Sequence, residues 1–123
     1  MAFPVSEDRI RIAEEKLGRQ LPSVLRERLM ADNGGEVEDD RRDGWILHPV
    51  RDDTDRKRLT RTANDIVRET ESAREQADFP SGAVAIAEDG TGDALILLPG
   101  SDEIYIWSHE GEPLVQTVLT MHP

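Results

Sequence analysis

The sequence predicts an α+β fold in which N-terminal helices pack on one face of a central antiparallel sheet. Three observations carry that expectation. Two segments with helical apolar spacing come first, three short apolar runs split by turn-forming residues come last, and a strongly charged stretch lies between them. A chain of 123 residues fits one domain, 1–123, and is long enough to build one core.

The first helix opens at Ser6, a residue suited to capping, with Glu7 and Asp8 in the first turn where negative charge complements the helix dipole. Ile10, Ala13 and Leu17 then share one stripe, and Gly18 is a natural stop. Leu21-Pro22 starts a second helix, with Pro22 in its first turn, Val24, Leu25 and Leu29 buried, and Arg26, Glu27 and Arg28 in water. Asn33-Gly34-Gly35 closes it, because these residues tolerate the positive φ that a reversal needs. Residues 36–44 are charged and read as a turn, followed by a short strand at Trp45-Ile46-Leu47 and the breaker His48-Pro49.

Between residues 51 and 78 the sequence predicts a charged loop and then a surface helix. Residues 51–61 alternate in sign with almost nothing to bury, whereas Ala63, Ile66, Val67, Thr70 and Ala73 share a thin helical face. The last third reads as a meander. Ala83–Ala87, Ala94–Leu98 and Ile104–Trp107 are strands whose connections, Asp89-Gly90-Thr91-Gly92-Asp93 and Pro99-Gly100-Ser101-Asp102, are too short for a crossover helix. Ile104 and Ile106 face one way, Tyr105 and Trp107 the other. The tail carries Leu114, Val115, Val118 and Leu119 at helical spacing, and a helix is expected there despite the β-branched Thr117 and Thr120.

Charge narrows the choice of partner. The formal net charge is −11, from 26 acidic and 15 basic residues. From Asp78 onward there are eight acids (Asp78, Glu88, Asp89, Asp93, Asp102, Glu103, Glu110, Glu112) and neither lysine nor arginine. That half would repel phosphate, so nucleic acid and anionic membrane are not expected partners, whereas a basic protein surface would be attracted; charge that serves only solubility is the other reading. Cysteine is absent, which removes disulfides and thiolate metal sites. No signal-like segment and no apolar run of membrane-spanning length is present, so a cytoplasmic location is expected.

A search for chemistry yields little. There is no phosphate loop, no nucleophile elbow around Ser23, Ser72, Ser81 or Ser101, and no zinc-binding helix. His109-Glu110, with Asp93 as a second helper, has the residue types of an acid/base pair, but adjacent residues on an extended chain point apart. His48 and His122 stand beside prolines, and nothing gathers the three histidines around a metal. Asp89-Gly90-Thr91-Gly92-Asp93 lacks the ligand count of a calcium loop and reads as a tight hairpin. No cofactor, metal or catalytic residue is expected.

The order Ile10, Ala13, Leu17, then Leu21-Pro22, Leu25, Leu29, Asn33-Gly34-Gly35, Trp45, Ala85-Ile86-Ala87, Gly90-x-Gly92-Asp93 and Tyr105-Ile106-Trp107 with His109-Glu110 resembles the SUKH superfamily, also called the Smi/Knr type. The resemblance implies an α+β scaffold without known catalytic residues, in which Leu21, Pro22, Asn33, Gly34, Gly35, Trp45, Gly90, Gly92, Asp93 and Trp107 are fold markers. It also implies a protein partner: many bacterial members neutralise a toxin, often a nuclease, and fungal relatives regulate cell-wall synthesis. The expectation is an immunity protein that masks a basic toxin, with a regulatory scaffold as the alternative. The expected interface is Asp89, Asp93, Asp102, Glu103, Glu110 and Glu112, with Tyr105 or Trp107 as an apolar anchor.

Overall fold

The structure, a computed structural model, describes residues 3–121; His122 and the readings made of it lie outside the described residues. Four helices and seven strands follow in the order α1 (Glu7–Leu17), α2 (Ser23–Ala31), β1 (Gly35–Asp39), β2 (Gly44–Leu47), α3 (Arg56–Arg61), α4 (Ile66–Arg74), β3 (Val84–Glu88), β4 (Ala94–Leu97), β5 (Ile104–Trp107), β6 (Val115–Thr117) and β7 (Leu119–Thr120). All strand pairs are antiparallel, in the order β6-β5-β4-β3-β2-β1-β7. The two outermost strands are separated in sequence by Val118 alone, so the sheet must curl almost onto itself to bring them together. Thr117 donates to Asp40 across this seam at 2.8 Å.

α1 and α2 pack on the inner face as the sequence predicts. Ile10, Ala13, Leu17, Leu25 and Leu29 meet Val84, Ile86, Leu95, Leu97 and Ile104 in one core, while Phe79, Ala83, Ala85, Ala94, Ile96 and Trp107 form a second on the opposite face of the meander. The alternation of β5 is as expected, with Ile104 and Ile106 on the first core and Tyr105 and Trp107 on the second. Gly18, with φ of 79°, ends α1 in the left-handed conformation. Ser6 occupies the N-cap position but its hydroxyl makes no capping bond, and Pro22 sits one residue earlier than expected, at the cap of α2.

Several readings are corrected. On α2 the buried residues are Leu25, Arg28 and Leu29, whereas Val24 is exposed. Arg28 tolerates burial because its guanidinium is held by the Asp32 carbonyl and faces the Asp32 carboxylate. The expected turn at 36–44 contains strand β1, paired with β2 through Gly35↔Leu47, Glu36↔Ile46, Val37↔Trp45 and Glu38↔Gly44. The tail is two short strands and no helix. Thr117 and Leu119 point inward while Val118 points out, a two-residue alternation that suits its β-branched side chains better than the helical register.

The expected loop at 51–61 also holds structure. Asp55 accepts from the Arg58 amide at 2.8 Å and caps α3. Upstream, Asp52 is buried, its amide donating to Thr62 Oγ1 at 3.0 Å and its carboxylate accepting from Thr54. α4 is less superficial than its polar composition implies, since Ile66 and Thr70 are fully buried. β2 pairs with β3 only near Ala87 and Glu88, and α4 takes over the edge of β3 that remains. Thr70 Oγ1 donates to the Ala85 carbonyl and accepts the Ala85 amide, while Arg74 donates to the Ala83 and Gly82 carbonyls. The edge is thereby covered, as buried backbone requires.

Candidate functional site: acidic sheet end and outer face

The antiparallel meander divides the expected interface residues between its two ends. Asp89 and Asp93 lie in the β3–β4 turn, Glu110 and Glu112 in the β5–β6 connection, and both connections emerge at the same end as the β1–β2 turn. Asp89, Asp93 and Glu112 line one recess there, together with Asp43, Trp45 and Ile106; Arg41 also borders it but forms no ion pair with them among the described residues. Asp102 and Glu103 sit at the opposite end, in the β4–β5 turn. There Arg19 donates to the Leu98 and Ser101 carbonyls and pairs with Asp102 at 2.8 Å, so Asp102 is already occupied.

The expected aromatic anchors differ in exposure. Trp107 is only 4% exposed and packs edge-on against Phe79 with ring centroids 5.3 Å apart, so it belongs to the second core and is not a free anchor. Tyr105 is half-buried and its hydroxyl donates to Glu103 at 3.1 Å, a bond that raises its pKa. Trp45 is likewise buried; its indole N–H donates to Asp39 at 3.0 Å. Burial alone would raise the Asp39 pKa, but that bond and the amides of Asp43 and Arg41 outweigh it and hold the carboxyl below its usual range.

His109 reaches Asp93 and not merely its sequence neighbour. Its Nδ1 lies 2.6 Å from Asp93 Oδ1, the same oxygen accepts the His109 amide at 3.2 Å, and Nε2 is 3.8 Å from Glu110. The bond to Asp93 raises the His109 pKa. Gly92 makes the approach feasible, because its φ is 106° and a Cβ there would stand 3.2 Å from the imidazole. The pair rides on an exposed turn and closes the β3–β4 loop against the β5–β6 loop.

His48 has the opposite environment. It is 7% exposed, and burial lowers its pKa to about 4, with the Asp65 carboxylate opposing the shift. It lines a cleft of about 400 Å³ bounded by β2 and its exit to Pro49 and by residues 58–64, with Ile46, Glu69 and Glu88 and also Arg58 and Arg61 in the lining. Burial and the neighbouring Glu88 raise the Glu69 pKa. Glu36, Ile46 and Glu88 stand directly opposite one another in register across β1, β2 and β3, so they form one row on the outer face. This row draws on three strands, and single-segment sequence reasoning missed it. The alternation Glu36-Val37-Glu38 is the signal that would have placed β1 and exposed its carboxylates.

No described helix is long and apolar enough to cross a membrane, and no described group of three or more histidine or acidic residues has the arrangement of a metal site. Comparison with curated proteins and with solved structures returns no match. A family model described as SMI1 / KNR4 family (SUKH-1) matches residues 4–119. With the helix pair, the asparagine-glycine-glycine reversal and the curled antiparallel sheet all in place, the chain belongs to the SMI1/KNR4 family, SUKH-1.

Proposed function

We propose that this chain is a non-catalytic immunity protein, a single domain of 1–123 that binds a basic toxin and masks its working surface. Family membership supports the protein-binding part of this reading, because SUKH proteins generally act by binding protein partners. One observation carries it further toward a basic partner. The fold leaves the carboxylates of the last third almost unneutralised: among the described ion pairs, Arg19 with Asp102 is the one that brings an arginine or lysine to them. The bases of α3 stay local instead, Arg58 pairing with Asp52 and Asp55, and Arg58 and Arg61 stacking on the Phe3 ring. Negative charge left free on one part of a surface steers a basic partner and raises its encounter rate.

The acidic end, with Asp89, Asp93, Glu110 and Glu112, is the proposed first contact, and the protein acts in the cytoplasm before the toxin reaches its target. The test is co-expression of the chain with the product of its neighbouring gene. Restored growth together with a purifiable complex supports the reading. A neighbour that is harmless and unbound removes it.

A further inference from the structure

Glu69 and Glu88 face the cleft from α4 and from the end of β3, and neither forms an ion pair among the described residues. The two carboxylates are close enough for Glu88, with burial, to raise the Glu69 pKa; Arg68 on the same helix opposes that shift but forms no ion pair with either among the described residues. His48 lies on the same cleft, more than nine-tenths buried, and its ring makes no hydrogen bond among the described residues. A ring nitrogen that borders the cleft with no protein partner is free to accept a donor that enters it. Ile46, 44% exposed, sits between Glu36 and Glu88 in the cross-strand row and supplies an apolar surface beside the charges. The same lining includes Arg58 and Arg61, whose guanidinium groups lie 4.4 and 4.7 Å from the centre of the Phe3 ring, and Arg58 is also paired with Asp52 and Asp55. With Arg58 engaged by Asp52 and Asp55 and both arginines over the Phe3 ring, Glu69 and Glu88 are the charged lining groups that form no ion pair among the described residues.

We infer that this cleft receives an arginine side chain from the protein partner, its guanidinium paired with Glu69 and Glu88, one N–H donated to the His48 ring, and its methylene stem lying along Ile46. The inference rests on the protein-binding function proposed above and adds to it a recess in which one basic side chain is fixed. Arginine suits the site better than lysine, because a planar fork of donors can serve two carboxylates and an imidazole at once, and its stem tolerates apolar contact. A metal ion suits it less, since the described residues provide no cluster of three or more ligands there.

The probe is the blocked tripeptide acetyl-Gly-Arg-Gly-amide, titrated to millimolar concentration into the full chain and followed by amide NMR. Its lysine and citrulline counterparts are run in parallel. The expected result is saturable shifts centred on Ile46, His48, Glu69 and Glu88, about tenfold weaker binding of the citrulline peptide, and a similar loss in the Glu69→Gln, Glu88→Gln double variant. The citrulline peptide keeps the test valid should the variant fold poorly. Shifts spread evenly over all exposed carboxylates, equal binding of arginine and citrulline, or saturation of the same residues by magnesium or calcium alone would overturn the assignment. The probe is a peptide and not the toxin, so this outcome is independent of whether the chain protects a cell.

Discussion

Acidification from pH 7 to pH 5 is expected to destabilise the protein through His48. The imidazole is neutral in the folded chain, because burial holds its pKa at about 4 against an ordinary value of 6.5. Protons therefore bind the unfolded chain first. Stability is complete above the unfolded pKa, falls as the pH drops from there toward the folded pKa, and is fully lost for this group below it. The shift corresponds to about 3 kcal/mol in all, of which about 2 kcal/mol falls between pH 7 and pH 5. The assay is urea unfolding followed by the fluorescence of Trp45 and Trp107, both buried, for the native chain and His48→Gln at each pH. Subtracting the variant removes the carboxylates and His109, whose raised pKa acts in the opposite direction. The native chain should lose about 2 kcal/mol relative to the variant on acidification. A difference that stays constant, or that grows in favour of the native chain at pH 5, would refute the view that His48 is buried without compensation.

Three further outcomes follow from the same contacts. Thr70→Val keeps the shape but strands the Ala85 amide and carbonyl, and should cost about 1–3 kcal/mol in urea unfolding, with Thr70→Ser restoring most of it. Asn33→Ala removes two bonds to Val50, each 2.8 Å, and should cost about 2–4 kcal/mol by the same measurement. His109→Ala should leave the fold and some growth protection in place, with any loss matched by weaker partner binding, because the imidazole closes two loops at the proposed contact; protection abolished while partner binding is unchanged would instead favour a catalytic role.

The meander was legible because Ala83–Ala87, Ala94–Leu98 and Ile104–Trp107 are apolar runs bounded by glycine and proline, which admits few alternatives. β1 was not, since Val37 is its single buried aliphatic residue and the other inward residue, Asp39, is satisfied by Trp45 and by turn amides that only the fold assembles. Arg28 was placed in water for the same reason: its partner Asp32 becomes available only once α2 ends where it does. The tail misled because Leu114, Val115, Val118 and Leu119 satisfy a helical period, while the pairing of Leu119 with Asp39 that fixes β7 lies far away in sequence. Asp55 and Asp65, each accepting the amide three residues on, were readable caps for α3 and α4. Of the expected interface, the shared end of Asp89, Asp93, Glu110 and Glu112 follows from strand alternation. The row Glu36, Ile46 and Glu88 depends on register between segments far apart in sequence and could not be read from any one of them.

The most direct test is the association rate of the chain with the basic toxin proposed as its partner, measured by stopped flow from about 20 mM to about 500 mM salt. Free carboxylates that guide a basic partner predict a fall of about tenfold or more in association rate across that range, with dissociation changing far less. A complex whose association is indifferent to salt, or no complex at any salt, would contradict the claim that the unneutralised acidic surface is what this protein uses to act.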